Sequence, residues 1–272
     1  MQTTDCLSKQ INAQTRRRPG AVDWRHTLAP LSVLVFLALW KLVVVVGHYP
    51  TFMLPTPGQV AARFVVALRD GSLLMHTAVT LREVLAGLAL GLSVAVVLGY
   101  LLAKSRTLER ILAPYVVASQ AVPIVALAPL LVIWFGAGSL SKVLVCALTL
   151  FFPVLINTIV GIRSVDADLV DLMRSLRATR WQAFRLLEVP ASMPVLLGGL
   201  KVGVTLSVIG AVVGEFVGSD RGLGFLVNLA RGLFDTPLMF VALLVLMIIA
   251  LLLYFVVSAL EAWLLRWRST DE

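Results

Sequence analysis

Apolar runs too long for the core of a soluble domain recur along the chain. DTPLMFVALLVLMIIALLLYFVV, Asp235 to Val257, is one of several able to cross a bilayer, which takes about 20 apolar residues per helix. Hydrophobic residues make up 59% of the 272 and charged ones only 14%, a balance that fits a multi-pass helical membrane protein rather than a soluble domain. The runs are continuous instead of alternating, which argues against a barrel.

Six spans are expected, near 29–47, 80–103, 112–135, 140–161, 193–217 and 238–262. They divide an all-α chain into a tail 1–28, a membrane domain 29–265 and a second tail 266–272. The first run follows Arg16, Arg17 and Arg18 with no small-residue cleavage site, so it reads as a retained span. Placing both termini in the cytoplasm puts fifteen Lys and Arg residues inside and five outside: Arg63, Arg69, Lys142, Arg221 and Arg231. Cytoplasmic loops carry the basic excess, so that orientation is expected. The net charge of +8 is then matched to lipid and not to nucleic acid. Cys6 in the tail and Cys146 in an apolar run sit at different depths, so no structural disulfide is expected.

Details within the spans add constraints. In LPTPGQVAARFVVAL, Thr56 and Pro57 suit a helix start, and Val60, Phe64, Val65 and Leu68 fall on one face of a short helix at the outer surface. Pro114, Pro123 and Pro129 should kink or break the third span, which is tolerated only where protein or a cavity satisfies the freed backbone. Small residues recur every four positions at Gly87, Gly91, Ala95 and Gly99, and at Gly199, Gly203, Ser207 and Ala211. Such stripes serve close packing within a chain or between two copies. Lys41, midway along the first run, has no partner legible in the sequence.

The loop 162–190 is long and hydrophilic for a connection between two spans. Val165, Leu169, Leu172, Met173 and Leu176 form a helical stripe, with Asp168, Asp171 and Arg174 opposite. Thr179 and Gln182 match a capping box that starts a second helix, supported by Trp181, Phe184 and Leu187, and Pro190 marks its expected stop. The result is helix, sharp turn, helix, with a corner at Arg177, Ala178, Thr179, Arg180 and Trp181. A corner bearing Arg and Trp suits a groove in another protein; a linker packed on its own membrane domain is the other reading.

DLMRSLRATRWQAFRLLEVP, Asp171 to Pro190, resembles the cytoplasmic loop of ABC-importer permeases. Asp171, Leu172 and Met173 stand where Glu-Ala-Ala is usual, Arg177 where Gly is usual, and Val189-Pro190 closes the pattern. LPTPGQV, PIVALAPLLVIWFGAGSLSKV and FFPVLINTIVGIRSVD extend the likeness from about Trp40 to Leu265. Within the sulfonate, taurine and nitrate group, LKVGVTLSVIGAVVGEFVGSDRGLGFLV is most similar to importers of riboflavin and of thiamine's pyrimidine precursor. The resemblance implies the six-helix fold of type I importers and a bacterial cytoplasmic membrane. It implies a second permease copy, separate ATPase subunits carrying ATP and magnesium, and an external substrate-binding protein. It implies that Asp171, Arg174, Arg177, Ala178, Thr179, Arg180, Trp181, Phe184 and Pro190 belong to an ATPase-docking loop.

No phosphate-binding G-x-x-x-x-G-K-[ST] and no H-E-x-x-H occurs, so neither ATP hydrolysis, a cofactor nor a catalytic metal is expected on this chain. His26, His48 and His76 are scattered. Lys201, Thr205 and Glu215 share one face of the fifth span and are the candidate pathway-lining residues. The alternative is that Lys201 snorkels inward while Glu215 reaches the outer headgroups. A self-contained secondary transporter would need no docking corner and more mid-membrane charges; an enzyme would need a clustered catalytic set.

Overall fold

The computed structural model describes residues 24–266. Residues 1–23 of the expected N-terminal tail, with Cys6, and residues 267–272 of the C-terminal one lie outside the described residues. All regular elements among the described residues are helical. The chain forms two compact units, Met1–Pro57 and Gly58–Glu272.

The first unit contains α1 (Trp24–Val46). It ends in a left-handed residue, His48 at φ 49°. The N–H groups of His48 and Tyr49 turn back to the carbonyls of Val45 and Val44, the paired bonds of a Schellman cap. Lys41 is exposed on this helix.

The second unit comprises α2 (Pro57–Arg69), α3 (Ser72–Lys104), α4 (Arg106–Gln120), α5 (Ile124–Phe135), α6 (Ser139–Arg163) and α7 (Ala167–Ser175). It continues with α8 (Arg180–Gly218), α9 (Leu223–Gly232) and α10 (Thr236–Leu264). α3, α6, α8 and α10 are each long and apolar enough to cross a membrane, and α4 with α5, bent by 95°, makes a fifth if counted as one span. Of the three prolines expected to kink or break this span, Pro123 stands at the bend, while Pro114 and Pro129 stay inside helices. α3 starts earlier than the expected span. Gly71 turns the chain at φ 76°, and the Asp70 carboxylate accepts the Ser72 N–H at 2.9 Å. Those Ser72 hydrogen bonds hold the Asp70 carboxyl below its usual range.

α6 is the centre of the unit, with α3 and α8 as its main packing partners. The two small-residue stripes make this possible, so close packing within the chain accounts for both. A Cβ on Gly87 would lie 2.2 Å from the Cys146 Cβ, and one on Gly199 2.7 Å from the Asn157 Cβ. Ser207, from the second stripe, donates its hydroxyl to the Val84 carbonyl at 3.1 Å, joining α8 to α3. Ala95, Leu102, Leu150, Val154 and Leu155 fill the core beside them.

One expectation is corrected. Pro190 does not stop a helix. Phe184–Glu188 forms a π-helical segment, and the Val189 N–H bonds to the Phe184 carbonyl five residues back. That wider turn shifts the hydrogen-bond ladder where Pro190 has no N–H to give, and the helix runs unbroken from Arg180 to Gly218. On the surface helix α2, Phe64, Val65 and Leu68 of the expected face are exposed, while Val60 turns inward with Ala67. Three exposed apolar side chains on one short helix suit a lipid surface.

Gly87→Val should overpack the α3–α6 contact and cost about 1–3 kcal/mol. Thermal unfolding of the detergent-solubilised protein reads this as a lower midpoint. Gly198→Ala is the control, because nothing lies within 4 Å of a Cβ there; its midpoint should not fall.

Candidate functional site

The loop between α6 and α8 folds as helix, corner, helix. Asp166 caps α7, accepting the Asp168 N–H at 2.9 Å. The helix ends at Arg177, which takes the left-handed backbone at φ 51°. The Arg177 N–H bonds to the Arg174 carbonyl at 2.9 Å, and the Ala178 N–H to the Met173 carbonyl at 3.0 Å. This is again a Schellman cap, with arginine where glycine costs least. Thr179 then opens α8 with the expected capping box: its Oγ1 accepts the Gln182 N–H at 3.3 Å, and its own N–H donates to Gln182 Oε1 at 2.8 Å.

The corner presents chemistry outward. Trp181 is 66% exposed and stacks on Phe184 with ring centroids 5.5 Å apart. Leu169, Leu172 and Leu176, the expected apolar stripe of α7, are also exposed. Asp171 and Arg174 pair at 2.9 Å on the open surface, a contact of small energetic worth. A recess of about 720 Å³ lies between the corner and the end of α3, lined by Met173, Ala178, Arg180, Tyr100 and Glu188 among others.

Contacts that the sequence does not advertise anchor this loop. Lys104, at the end of α3, pairs with buried Glu188 in the π-helical segment. Tyr100 donates its hydroxyl to the same carboxylate at 3.2 Å and meets Phe184 edge-on, 5.2 Å between centroids. Arg163 at the end of α6 grips Glu109 of α4 through two nitrogens, at 2.6 and 2.7 Å.

At the opposite end, α8 carries a buried polar cluster. Glu215 is 1% exposed. It accepts the Thr80 hydroxyl at 2.7 Å and the Gly224 N–H at 2.5 Å. Thr80 Oγ1 in turn accepts the Leu223 N–H at 2.7 Å, and His76 Nδ1 accepts the Gly222 N–H at 3.0 Å. Three side chains thus satisfy the first N–H groups of α9, which would otherwise be orphaned. Gly222 sits at φ 110°, and a Cβ there would fall 2.2 Å from the Glu215 carboxyl carbon. Glu83 and Lys142 are buried beside this cluster, and one Glu83 oxygen has no hydrogen-bond partner.

The structure does not gather Lys201, Thr205 and Glu215 into one recess. Lys201 pairs with Glu261 of α10. Thr205 borders a shallow apolar hollow with Leu246 and Met247. Glu215 holds the start of α9 and does not reach the surface. His76, Thr80 and Glu83 escaped the sequence reading; the signal for Glu83 was a carboxylate inside an apolar run. A further recess opens at the α4–α5 break, beside the middle of α6. Among the described residues no group of three or more His, Cys, Asp or Glu could hold a metal ion.

Residues 87–269 match the model of the family described as binding-protein-dependent transport system inner membrane component. The chain is 49% identical over 248 residues to the riboflavin transport system permease protein RibX of Chloroflexus aurantiacus, covering 91% of this chain and 92% of that protein. It is 35% identical to the formylaminopyrimidine transport permease protein ThiX of Halalkalibacterium halodurans, over 88% and 95% of the two chains. It is 32% identical to the putative aliphatic sulfonates transport permease protein SsuC of Bacillus subtilis, over 98% and 96%. In fold it is similar to a chain of the inward-facing MetNI methionine ABC transporter, with TM-score 0.65 and 17% identity, covering 72% of this chain and 97% of that one.

Arg177→Gly should relieve the left-handed corner and stabilise it by about 1 kcal/mol. Arg177→Val should do the reverse, because a β-branched residue resists positive φ. Thermal midpoints of the two variants should bracket the wild type, separated by several degrees.

Proposed function

The chain belongs to the binding-protein-dependent transport system inner membrane components, and we propose that it is the permease subunit of an ATP-driven importer of riboflavin or of thiamine's pyrimidine precursor. The observation that carries the substrate is the 49% identity, across 91% of the chain, to a permease named for riboflavin. A pyrimidine-named relative follows at 35% and a sulfonate-named one at 32%.

In this reading the chain lies in the bacterial cytoplasmic membrane, with six spans and both termini inside, and works with a second copy of itself. α1 and the bent α4–α5 pair supply the two spans beyond α3, α6, α8 and α10. A substrate-binding protein delivers the solute from outside, and two ATPase subunits bind ATP and magnesium. The corner from Arg177 to Trp181 docks into the ATPase, helped by the exposed stripe Leu169, Leu172 and Leu176. Asp171, Arg174 and Thr179 shape that corner, Phe184 backs Trp181, and Pro190 marks where the docking helix becomes a span. Exposed apolar side chains grouped with Arg and Trp are the usual ingredients of a protein interface. When the ATPases close on ATP, the corners move and the pathway switches from inward-facing to outward-facing.

The test is uptake. The permease, its ATPase and its binding protein are expressed together in a riboflavin auxotroph, and import of labelled riboflavin is measured. Uptake should be competed by unlabelled riboflavin or an aminopyrimidine and untouched by taurine or nitrate. Import of taurine with no vitamin import would overturn the substrate and move the chain to the sulfonate and taurine group.

A further inference from the structure

The break between α4 and α5 leaves non-helical backbone at membrane depth. Residues 119–123 are exposed, and Ser119, Gln120, Val122 and Pro123 line a recess of about 630 Å³ with Thr149, Phe152 and Leu206. Phe152 lies at the middle of α6 (Ser139–Arg163), a helix about 37 Å long at 1.5 Å per residue. The recess therefore falls near the centre of the hydrocarbon layer, which is about 30 Å thick. Irregular backbone at that depth cannot face lipid; it must be covered by protein or line a watery cavity.

The lining says which. Ser119, Gln120 and Thr149 supply polar groups, Pro123, Phe152 and Leu206 supply flat apolar surface, and no lining residue is charged. The hydroxyls of Ser119 and Thr149 turn back to the carbonyls of Tyr115 and Val145, at 2.7 and 2.6 Å. Gln120 thus carries the long, freely rotating amide of the recess, with two donors and a carbonyl acceptor. Pockets of 300–1,000 Å³ with mostly apolar walls and a few convergent polar groups are typical of small-molecule sites.

We propose that this recess is the mid-membrane contact site for the transported solute, with Gln120 as the specificity-determining residue and Phe152 as its stacking surface. The solute class is an uncharged, planar heteroaromatic whose edge carries amide-like donors and acceptors. Gln120 pairs with that edge, and the Phe152 ring covers the flat face. A sulfonate or nitrate would meet no cation here, whereas anion pathways carry Lys or Arg. The solute class rests on the vitamin reading above; the wet character of the recess does not.

The test uses the whole transporter, permease with ATPase and binding protein, in proteoliposomes. On a Cys6→Ser background, with Cys146 left in place because it is fully buried, Gln120→Cys is treated with a membrane-impermeant charged maleimide. It should react, and saturating riboflavin under ATP turnover should slow the reaction. Separately, Gln120→Leu and Phe152→Leu should each lower riboflavin import about tenfold, the scale of one lost polar or stacking contact. Binding-protein-stimulated ATP hydrolysis should stay within about twofold of wild type, which excludes misassembly as the cause, and Gln120→Asn should keep most import because the amide remains. If wild type imports riboflavin but Gln120→Cys is inert, the recess is a dry contact or lipid-covered, and the site is overturned while the vitamin reading stands. Normal import by both leucine variants has the same meaning. If wild type imports taurine and not riboflavin, the vitamin reading and the solute class fail together, and maleimide labelling alone reports whether the recess is wet.

Discussion

A bilayer offers no partner to a backbone N–H or carbonyl, and the structure follows from that constraint. It explains why the apolar runs are helices, and the places where helices end or bend are the informative ones. The start of α9 is satisfied by His76, Thr80 and Glu215. Pro190 is absorbed by a π-helical turn instead of breaking α8. The corner after α7 closes its carbonyls with a Schellman cap despite arginine at the left-handed position. The α4–α5 break borders an open recess beside the middle of α6, where the solute site is proposed.

The unbroken α8 gives the proposed mechanism a mechanical route. It starts at Arg180 in the docking corner and reaches Glu215 about 50 Å along its axis at 1.5 Å per residue. The Lys104–Glu188 pair, with Tyr100 and Phe184, ties its near end to α3, and Glu215 ties its far end to α3 and α9. Small residues packed on α6 leave little slack between these ties. On the proposed reading, a push on the corner moves a braced rod, not a flexible linker.

Much of this was legible in the sequence because it is local. Run length and composition indicated the apolar helices, Pro114, Pro123 and Pro129 a kink or break without saying which would make it, and Thr179 with Gln182 the start of α8. The small-residue stripes announced close packing, although only the structure tells that both stripes press on α6. What escaped depends on distant partners. Thr80 and Glu215 are 135 residues apart, and Lys104 and Glu188 are 84 apart; no pattern along the chain pairs them. Pro190 misled because the stop rule assumes a uniform i→i+4 ladder, which the π-helical segment does not keep.

The central claim is that the exposed corner is an interface with a separate ATPase. Trp181 is its largest exposed anchor, and its ring rests only on Phe184 among the aromatic contacts of the loop. Truncating such an anchor typically costs about 2 kcal/mol of binding, roughly thirtyfold in affinity. The direct measurement is the affinity of purified ATPase for wild-type and Trp181→Ala permease in nanodiscs, with the thermal midpoint of each recorded alongside. The account predicts an affinity loss near thirtyfold with an unchanged midpoint. Undiminished ATPase binding, or a collapse of the membrane domain in place of a binding loss, would contradict it.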